Sequence, residues 1–153
     1  VGAVHIAQPL SAMASLAGFQ VTIIDPRSAY LTPDRFPELP LVNDWPDVAL
    51  AELKPDERTA VVVLSHDHKI DDPALEAALL SPAFYIGALG SRRNHNRRVE
   101  RLLQNDVTDD QVKRIHAPIG LDIGGSSAGE IAVSVVAQLI GIRNQRFSGG
   151  TAD

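Results

Sequence analysis

Two histidines that flank a carboxylate are the side chains in this sequence most able to do chemistry. The segment is His66-Asp67-His68-Lys69, directly after an apolar run. Imidazole titrates near neutral pH, so the segment predicts ligand hydrogen bonding or proton transfer, with His66 and His68 as the candidate catalytic groups. A polar cluster that only stabilises a loop is the structural alternative. A metal site would need two more ligands from elsewhere in a chain without cysteine, and we predict none.

A second candidate segment, Gly87-Ala88-Leu89-Gly90-Ser91-Arg92-Arg93, predicts an anion site. It joins an apolar run to an arginine-rich helix, and the free N–H groups of a helix start attract anions. Arginine is unfavourable at that end of the helix dipole. We therefore predict a bound anion there, held by Gly87, Gly90, Ser91, Arg92 and Arg93. The alternative is a solvated basic face with Ser91 as the helix N-cap.

The first residues, GAVHIA (residues 2–7), fit the dinucleotide fingerprint G-x-G-x-x-A at its first and last positions. Val4 replaces the middle glycine, which normally lets the backbone approach a pyrophosphate. Asp25 follows at about the expected distance of ~20 residues and would favour a ribose 2′-hydroxyl, whereas Arg27 would accept a 2′-phosphate. The loop is predicted either to contact a nucleotide-like ligand or to form a tight structural turn.

A fourth segment, residues 116–125, is a loop rich in glycine and proline that leads to the last helix. Ser126 or Ser127 should cap that helix, with Glu130 completing a capping box. His116 and Asp122 are candidates for the lining of the same cleft.

Alternating apolar runs and amphipathic stretches predict an α/β fold, a Rossmann-like parallel sheet with helices on both faces in three α/β/α layers. The carboxyl ends of such strands form the ligand site, so we expect the first three segments to meet there. The predicted strands are 20–24, 59–64 and 84–86. The predicted helices are 6–17, 73–80 (capped by Asp72, with Pro73 at its first position), 92–105 (apolar face Val99, Leu102 and Leu103), 109–115 and 127–143. Between them, residues 26–46 read as a long ordered loop with an edge strand at Leu41-Val42.

Composition limits the function classes. The 153 residues suit one domain, with 44% hydrophobic and 22% charged residues, and the tail 148–153 should be frayed. A net charge of −5 argues against general nucleic-acid binding. Five arginines nevertheless cluster within ten positions and predict a small anion as partner: Arg92, Arg93, Arg97, Arg98 and Arg101. No apolar run is long enough to span a membrane and no signal peptide is evident, so we expect a cytoplasmic protein. With no cysteine, the chain cannot itself carry a persulfide.

Five segments together resemble the C-terminal domain of the XdhC/CoxI family, accessory factors for xanthine dehydrogenase and related molybdenum hydroxylases. They are GAVHIAQ, VTIIDPR, SHDHKIDDPALEAAL, FYIGALGSRRNHNRRVERL and HAPIGLDIGGSSAGEIAVSVVAQLI, and they span nearly all of residues 1–145. The resemblance implies a Rossmann-like domain, here residues 1–147, that a smaller N-terminal domain usually precedes. We expect that domain to be absent from this chain.

The resemblance also implies a function: binding and protecting the molybdenum cofactor, assisting its sulfuration and delivering it to an apo-hydroxylase. Implied partners are that hydroxylase, a cysteine desulfurase and a second copy in a homodimer, and we expect a maturation factor rather than an enzyme. An NAD(P)-dependent oxidoreductase and a protein-binding scaffold are the alternatives. The expected cofactor-binding residues are Gly2, His5, Asp25, Arg27, His66, Asp67, His68, Lys69, Gly87, Gly90, Ser91, Arg92, Arg93, His116 and Asp122.

Overall fold

Short parallel strands and longer helices alternate along the chain. The computed structural model describes residues 1–147, so the predicted frayed tail lies outside the described residues. The helices are α1 (Ala7–Leu16), α2 (Pro46–Leu53), α3 (His68–Leu80), α4 (Arg92–Gln104), α5 (Asp109–Val112) and α6 (Ala128–Phe147). The strands are β1 (Ile23–Ile24), β2 (Leu41–Val42), β3 (Ala60–Val63), β4 (Tyr85–Ala88) and β5 (Ile115–His116).

The N-terminal residues join two groups of parallel strands. One group pairs β1 with β2, and the other has the order β3-β4-β5. Between them, the Val1 nitrogen donates to the carbonyl of Val62 at 2.7 Å, and the Val1 carbonyl accepts from Leu64 N at 2.9 Å. On the other side, Gly2 N donates to the carbonyl of Ile24 at 2.8 Å. Strand order therefore reverses across Val1–Gly2, the place where ligands of such sheets bind.

The strands separate two apolar cores, because neighbouring strand residues point to opposite faces. Ile23 and Tyr85 pack with α1 and α6 on one face. Ile24 and Ile86 pack with α2, α3 and Leu102 of α4 on the other. Helices thus cover both faces, and the predicted α/β class with a parallel sheet is confirmed.

The start of α3 differs from the prediction. Asp67, not Asp72, is the N-cap, and its side chain accepts from Lys69 N at 3.0 Å. The helix therefore begins five residues earlier than expected, and Pro73 lies inside it. Asp72 is instead paired with Arg101 of α4, at 2.5 and 3.0 Å. Both aspartates are good caps by type, and the tertiary partner of Asp72 decides between them.

Several other boundaries also differ. The edge strand at Leu41-Val42 is confirmed and pairs with β1, but the 26–46 loop also contains a 3₁₀ turn at Ser28–Tyr30. Only two residues of the predicted 20–24 strand pair, and helix α2 was not predicted. The predicted 109–115 helix ends at Val112 and gives way to β5, so His116 lies in a strand rather than a loop. Helix α6 continues beyond residue 143 to Phe147.

The apolar face predicted for α4 was partly wrong. Leu102 is fully buried and Val99 is half-buried, but Leu103 is 40% exposed. Arg98, one turn before Leu102, is buried instead. A cation has moved into the buried face because α3 presents carboxylates opposite α4.

Asp25, directly after β1, holds the fingerprint loop (residues 2–7) against the sheet. Its Oδ2 accepts from Ala3 N at 2.7 Å and from Arg27 Nη2 at 2.8 Å. Its Oδ1 accepts from Arg27 N and Nε, both at 2.9 Å. Burial alone would raise the pKa of Asp25, but these hydrogen bonds outweigh it and hold the pKa below its ordinary value.

We expect Asp25→Asn to destabilise the fold, because an amide presents donors to the donors of Ala3 and Arg27. The loss should be at least ~1.5–3 kcal/mol, the range for a hydrogen bond to a charged group. Equilibrium urea unfolding at neutral pH measures it. Asp34→Asn, at an exposed carboxylate, is the matched control.

The same pair of variants tests the pH dependence. The lowered pKa of Asp25 contributes stability above its ordinary range, which is lost as the pH falls through the folded pKa. The wild type should therefore lose more stability in acid than Asp25→Asn does. Equal losses in the two proteins would contradict the role given to this carboxylate.

Candidate functional site

The fingerprint loop at Gly2 and the loop that leads to the histidine segment touch at the carboxyl end of the sheet. Gly2 has φ +96°, and a Cβ at this position would lie 2.7 Å from the backbone nitrogen of Ser65. Glycine is therefore required at position 2 by backbone conformation and by the close approach of the loop that follows β3. The glycine–arginine loop (residues 87–93) joins them through Arg98, whose Nη2 donates to the Leu89 carbonyl at 3.0 Å.

Asp71, in the first turns of α3, connects these loops. Its Oδ1 accepts from the Ser65 hydroxyl at 2.5 Å and from Ser65 N at 3.2 Å. Its Oδ2 lies 3.6 Å from Arg98 Nη2. This distance is longer than a hydrogen bond. Both side chains are buried, so solvent screens the attraction between the two charges only weakly. The predicted meeting of the three loops is thus present in the structure.

The histidine segment does not continue β3 as an extended chain. His66 is exposed and has φ +64°, a conformation that non-glycine residues rarely adopt. His68 and Lys69 are exposed in the first turn of α3, and Asp67 caps it. Strained backbone of this kind concentrates at functional sites. Within residues 1–147, no group of three or more histidine, aspartate or glutamate side chains is arranged to hold a metal ion.

The glycine–arginine loop has two parts with different roles. Gly87 is buried, and a Cβ there would lie 2.6 Å from side-chain atoms of Ile119 and Tyr85, so the position is closed by packing. Gly90 has φ +134°, and Ser91 caps α4 by accepting from Asn94 N at 3.2 Å. This cap belongs to the alternative that the sequence offered beside the predicted anion site.

The arginines at the start of α4 are exposed to solvent. Arg92 and Arg93 both have open side chains, and anion binding by them stays a prediction. The next turns of the helix instead face α3 and line a pocket with His66 and His68. These α4 residues are Asn94, Arg97, Arg98 and Arg101; the three arginines belong to the cluster for which the sequence predicts a small anion, but none of the four was among the expected cofactor-binding residues. Their signal was present, since i, i+3, i+4 and i+7 share one face of a helix.

The groups of the fingerprint loop that could bind a nucleotide already have hydrogen-bond partners within the chain. Ala3 N, a donor that a pyrophosphate would use, is bonded to Asp25. Both oxygens of that carboxylate accept two hydrogen bonds each, which leaves little capacity for a ribose hydroxyl. His5 is exposed in the turn before α1, and Val4 packs against the core. Ligand binding by Asp25, Arg27 and His5 stays a prediction.

His116 lies away from the other histidines and stacks on Tyr85. The ring centroids are 4.7 Å apart and the planes differ by 4°. Tyr85 donates to Gln138 Oε1 of α6 at 2.6 Å, and the same oxygen accepts from Gly120 N at 2.9 Å. Burial raises the pKa of Tyr85 and lowers that of His116. Asp122 is exposed in the following loop.

A larger cavity in the described residues, about 1040 Å³, contains neither the histidines of the site nor the arginines of α4. It lies between β1 and β3 and is lined largely by apolar residues of the strands, α1 and α6. The smaller pocket, about 220 Å³, holds the imidazoles and guanidinium groups. Polar groups that converge in a concave site indicate binding, so the smaller pocket is the candidate site.

Comparison with known proteins agrees with this architecture. A family model described as the XdhC Rossmann domain matches residues 1–139. The chain belongs to the XdhC Rossmann-domain family. A solved structure described as a xanthine dehydrogenase from Bacillus halodurans superposes with a TM-score of 0.83 at 31% identity, over 98% of this chain and 43% of that one.

Two curated relatives add functional names. The chain is 34% identical to a probable xanthine dehydrogenase subunit from Bacillus subtilis, over 90% of this chain and 40% of that protein. It is 36% identical to the molybdenum cofactor insertion chaperone PaoD of Escherichia coli, over 62% of this chain and 30% of that protein. The XdhC domain thus spans less than half the length of these relatives. None of its described helices is long and apolar enough to cross a bilayer.

The stack of His116 on Tyr85 predicts that acid destabilises this XdhC domain. Burial disfavours the charged form of His116, so the unfolded chain takes up a proton more readily than the folded one. Stability should fall as the pH drops through and below ~6.5, the ordinary histidine value. His116→Phe, which keeps an aromatic ring on Tyr85, should reduce this dependence in urea unfolding between pH 7 and 5. An NMR titration that finds His116 protonating above its ordinary pKa would contradict this assignment.

Proposed function

We propose that this XdhC domain binds the molybdenum cofactor as cargo, protects it, assists its sulfuration and delivers it to a xanthine dehydrogenase-type hydroxylase. The observation that carries the proposal is the cationic pocket at the carboxyl end of the parallel sheet, beside the reversal of strand order at Gly2. Family membership and the chaperone name of one relative support the same conclusion.

The residues of the pocket suit the chemistry of this cargo. Molybdopterin carries a phosphate, or a pyrophosphate in its dinucleotide forms, and guanidinium groups are the side chains best matched to such oxygens. The exposed imidazoles of His66 and His68 stand at the rim, where they can hydrogen-bond the pterin or metal end. The domain's proposed contribution is binding and orientation, not a chemical step.

The chain's composition determines what the proposal requires of partners. It contains no cysteine, so this domain cannot itself supply the terminal sulfur from a persulfide, and a cysteine desulfurase is the proposed donor. The proposed acceptor is an apo-hydroxylase, the proposed assembly is a homodimer and the proposed compartment is the cytoplasm.

Hydride transfer with NAD(P) is the competing function. The fingerprint loop favours it by position, but Val4 fills the place of the middle glycine and Ala3 N is already bonded to Asp25. A nucleotide pyrophosphate would have to displace that hydrogen bond. We therefore expect the cargo and NAD(P)H not to share this loop.

The first test is an anaerobic equilibrium titration with molybdenum cofactor, with and without excess NADPH. We expect saturable cofactor binding that NADPH leaves unchanged, and faster activation of apo-xanthine dehydrogenase by loaded domain than by an equal amount of free cofactor. Tight NADPH binding with hydride transfer, and no binding of the molybdenum cofactor, would support the oxidoreductase instead.

The second test concerns the sulfur. Domain and cofactor mixed in sulfide-free buffer should leave the cofactor unsulfurated, because no thiol is present to carry sulfur. A cysteine desulfurase with cysteine should restore sulfuration, read out as activity of the reconstituted hydroxylase. Sulfuration by the domain alone would contradict the proposed dependence on a partner.

A further inference from the structure

The pocket between α3 and α4 contains a buried guanidinium with unused hydrogen-bonding capacity. Arg98 is only 5% exposed, and in residues 1–147 its Nε and Nη1 have no hydrogen-bond acceptor. Only Nη2 is engaged, with the Leu89 carbonyl at 3.0 Å. Buried polar groups are nearly always paired, so two unpaired nitrogens on one buried cation indicate a ligand.

Carboxylates near the pocket do not neutralise this cation well. Asp71 is 3.6 Å from Arg98 and already accepts two hydrogen bonds from Ser65. Asp72 is engaged with Arg101 in a two-bond pair. Burial lowers the pKa of Arg98 despite both aspartates, which is the direction expected of an incompletely compensated cation.

The other lining groups add to the positive character. Arg97 is exposed on the same face of α4, and Asn94 lies one turn before Arg98. From the opposite wall come the two exposed imidazoles of His66 and His68. Apart from Asp71, every lining residue therefore carries at least one hydrogen-bond donor.

Size and access distinguish between ligand classes. The pocket has a volume of about 220 Å³, far more than the ~30 Å³ share of one water molecule in the liquid. Its rim residues are exposed, so a ligand can have one end inside and the rest in the cleft. These features favour a compact tetrahedral dianion that carries a substituent.

We propose that this pocket is a phosphate monoester site. Nη1 of Arg98 and the remaining N–H of its Nη2 donate two parallel hydrogen bonds to phosphate oxygens, the geometry that guanidinium provides and ammonium does not. Arg97 completes the phosphate site from its rim, and the two histidines lie where the substituent of the monoester leaves the pocket. The ligand class follows from the pocket alone, whereas identifying the monoester as the phosphate end of the molybdenum cofactor rests on the proposed function.

The test is isothermal titration of the purified protein, in chloride buffer, with inorganic phosphate, sulfate and glycerol phosphate. We expect glycerol phosphate to bind, in competition with inorganic phosphate. The decisive variant is Arg97→Gln, since this exposed residue can change without loss of the fold. Its Kd for glycerol phosphate should rise on the order of tenfold, as loss of one charge-assisted hydrogen bond implies.

Arg58→Gln is the matched control, because it removes the same charge in the turn before β3, at the other end of the sheet. It should leave phosphate binding unchanged. Arg98→Lys keeps the charge but loses the two-bond edge and should weaken binding more than Arg97→Gln. Circular dichroism and urea unfolding check that this buried variant still folds.

Three results would overturn the site: no binding of glycerol phosphate, equal effects of the Arg97 and Arg58 variants, or binding of inorganic ions without the monoester. The proposed function fails separately. Phosphate monoester binding without molybdenum cofactor binding would leave the pocket intact and refute the chaperone. Cofactor binding unaffected by Arg97→Gln and by excess phosphate would do the reverse.

Discussion

The position of the loops at the site end of the sheet depends on the contacts of one buried carboxylate, that of Asp71. A carboxylate is costly to bury unless its oxygens are bonded, and this one obtains its partners from two other elements. Ser65 turns the chain at the end of β3 to donate to it, and Arg98 enters the buried face of α4 opposite it. That burial accounts for a helix whose apolar stripe is interrupted by a guanidinium and for a loop that remains close to α3.

The α3–α4 interface shows how much the position of a charge along two packed helices matters. Further along both helices, Asp72 pairs with Arg101 and Glu76 accepts from Asn105 at 2.8 Å, so each polar group finds a partner at short range. At the site end the corresponding contact is longer, and Arg98 keeps free donors within the described residues. The same pattern of charges thus contributes packing specificity at one end and a binding capacity at the other.

Asp25 illustrates a different use of a familiar position. In a dinucleotide site, an acidic residue after the second strand binds a ribose hydroxyl. Here Asp25 accepts hydrogen bonds from Ala3 N and Arg27 and so connects the fingerprint loop to β1. Gly2 is likewise explained by its approach to Ser65. The XdhC domain therefore retains the Rossmann framework while its fingerprint residues support the loop, and the cationic groups lie on α4.

The sequence alone determined the fold class, the capping box with Glu130 at the last helix and the three loops that meet, because apolar periodicity and turn chemistry are local properties. It left the choice between Ser126 and Ser127 open and offered the Ser91 cap only as an alternative to an anion site. It also carried the family resemblance that the comparisons confirm. It could not decide between Asp67 and Asp72 as the cap of α3, since both are suitable and only Arg101 on another helix distinguishes them. Nor could it identify Arg98 as buried, because a guanidinium is normally solvated. Only the tertiary structure decides that, since the reason for the burial is a carboxylate 27 positions away along the chain.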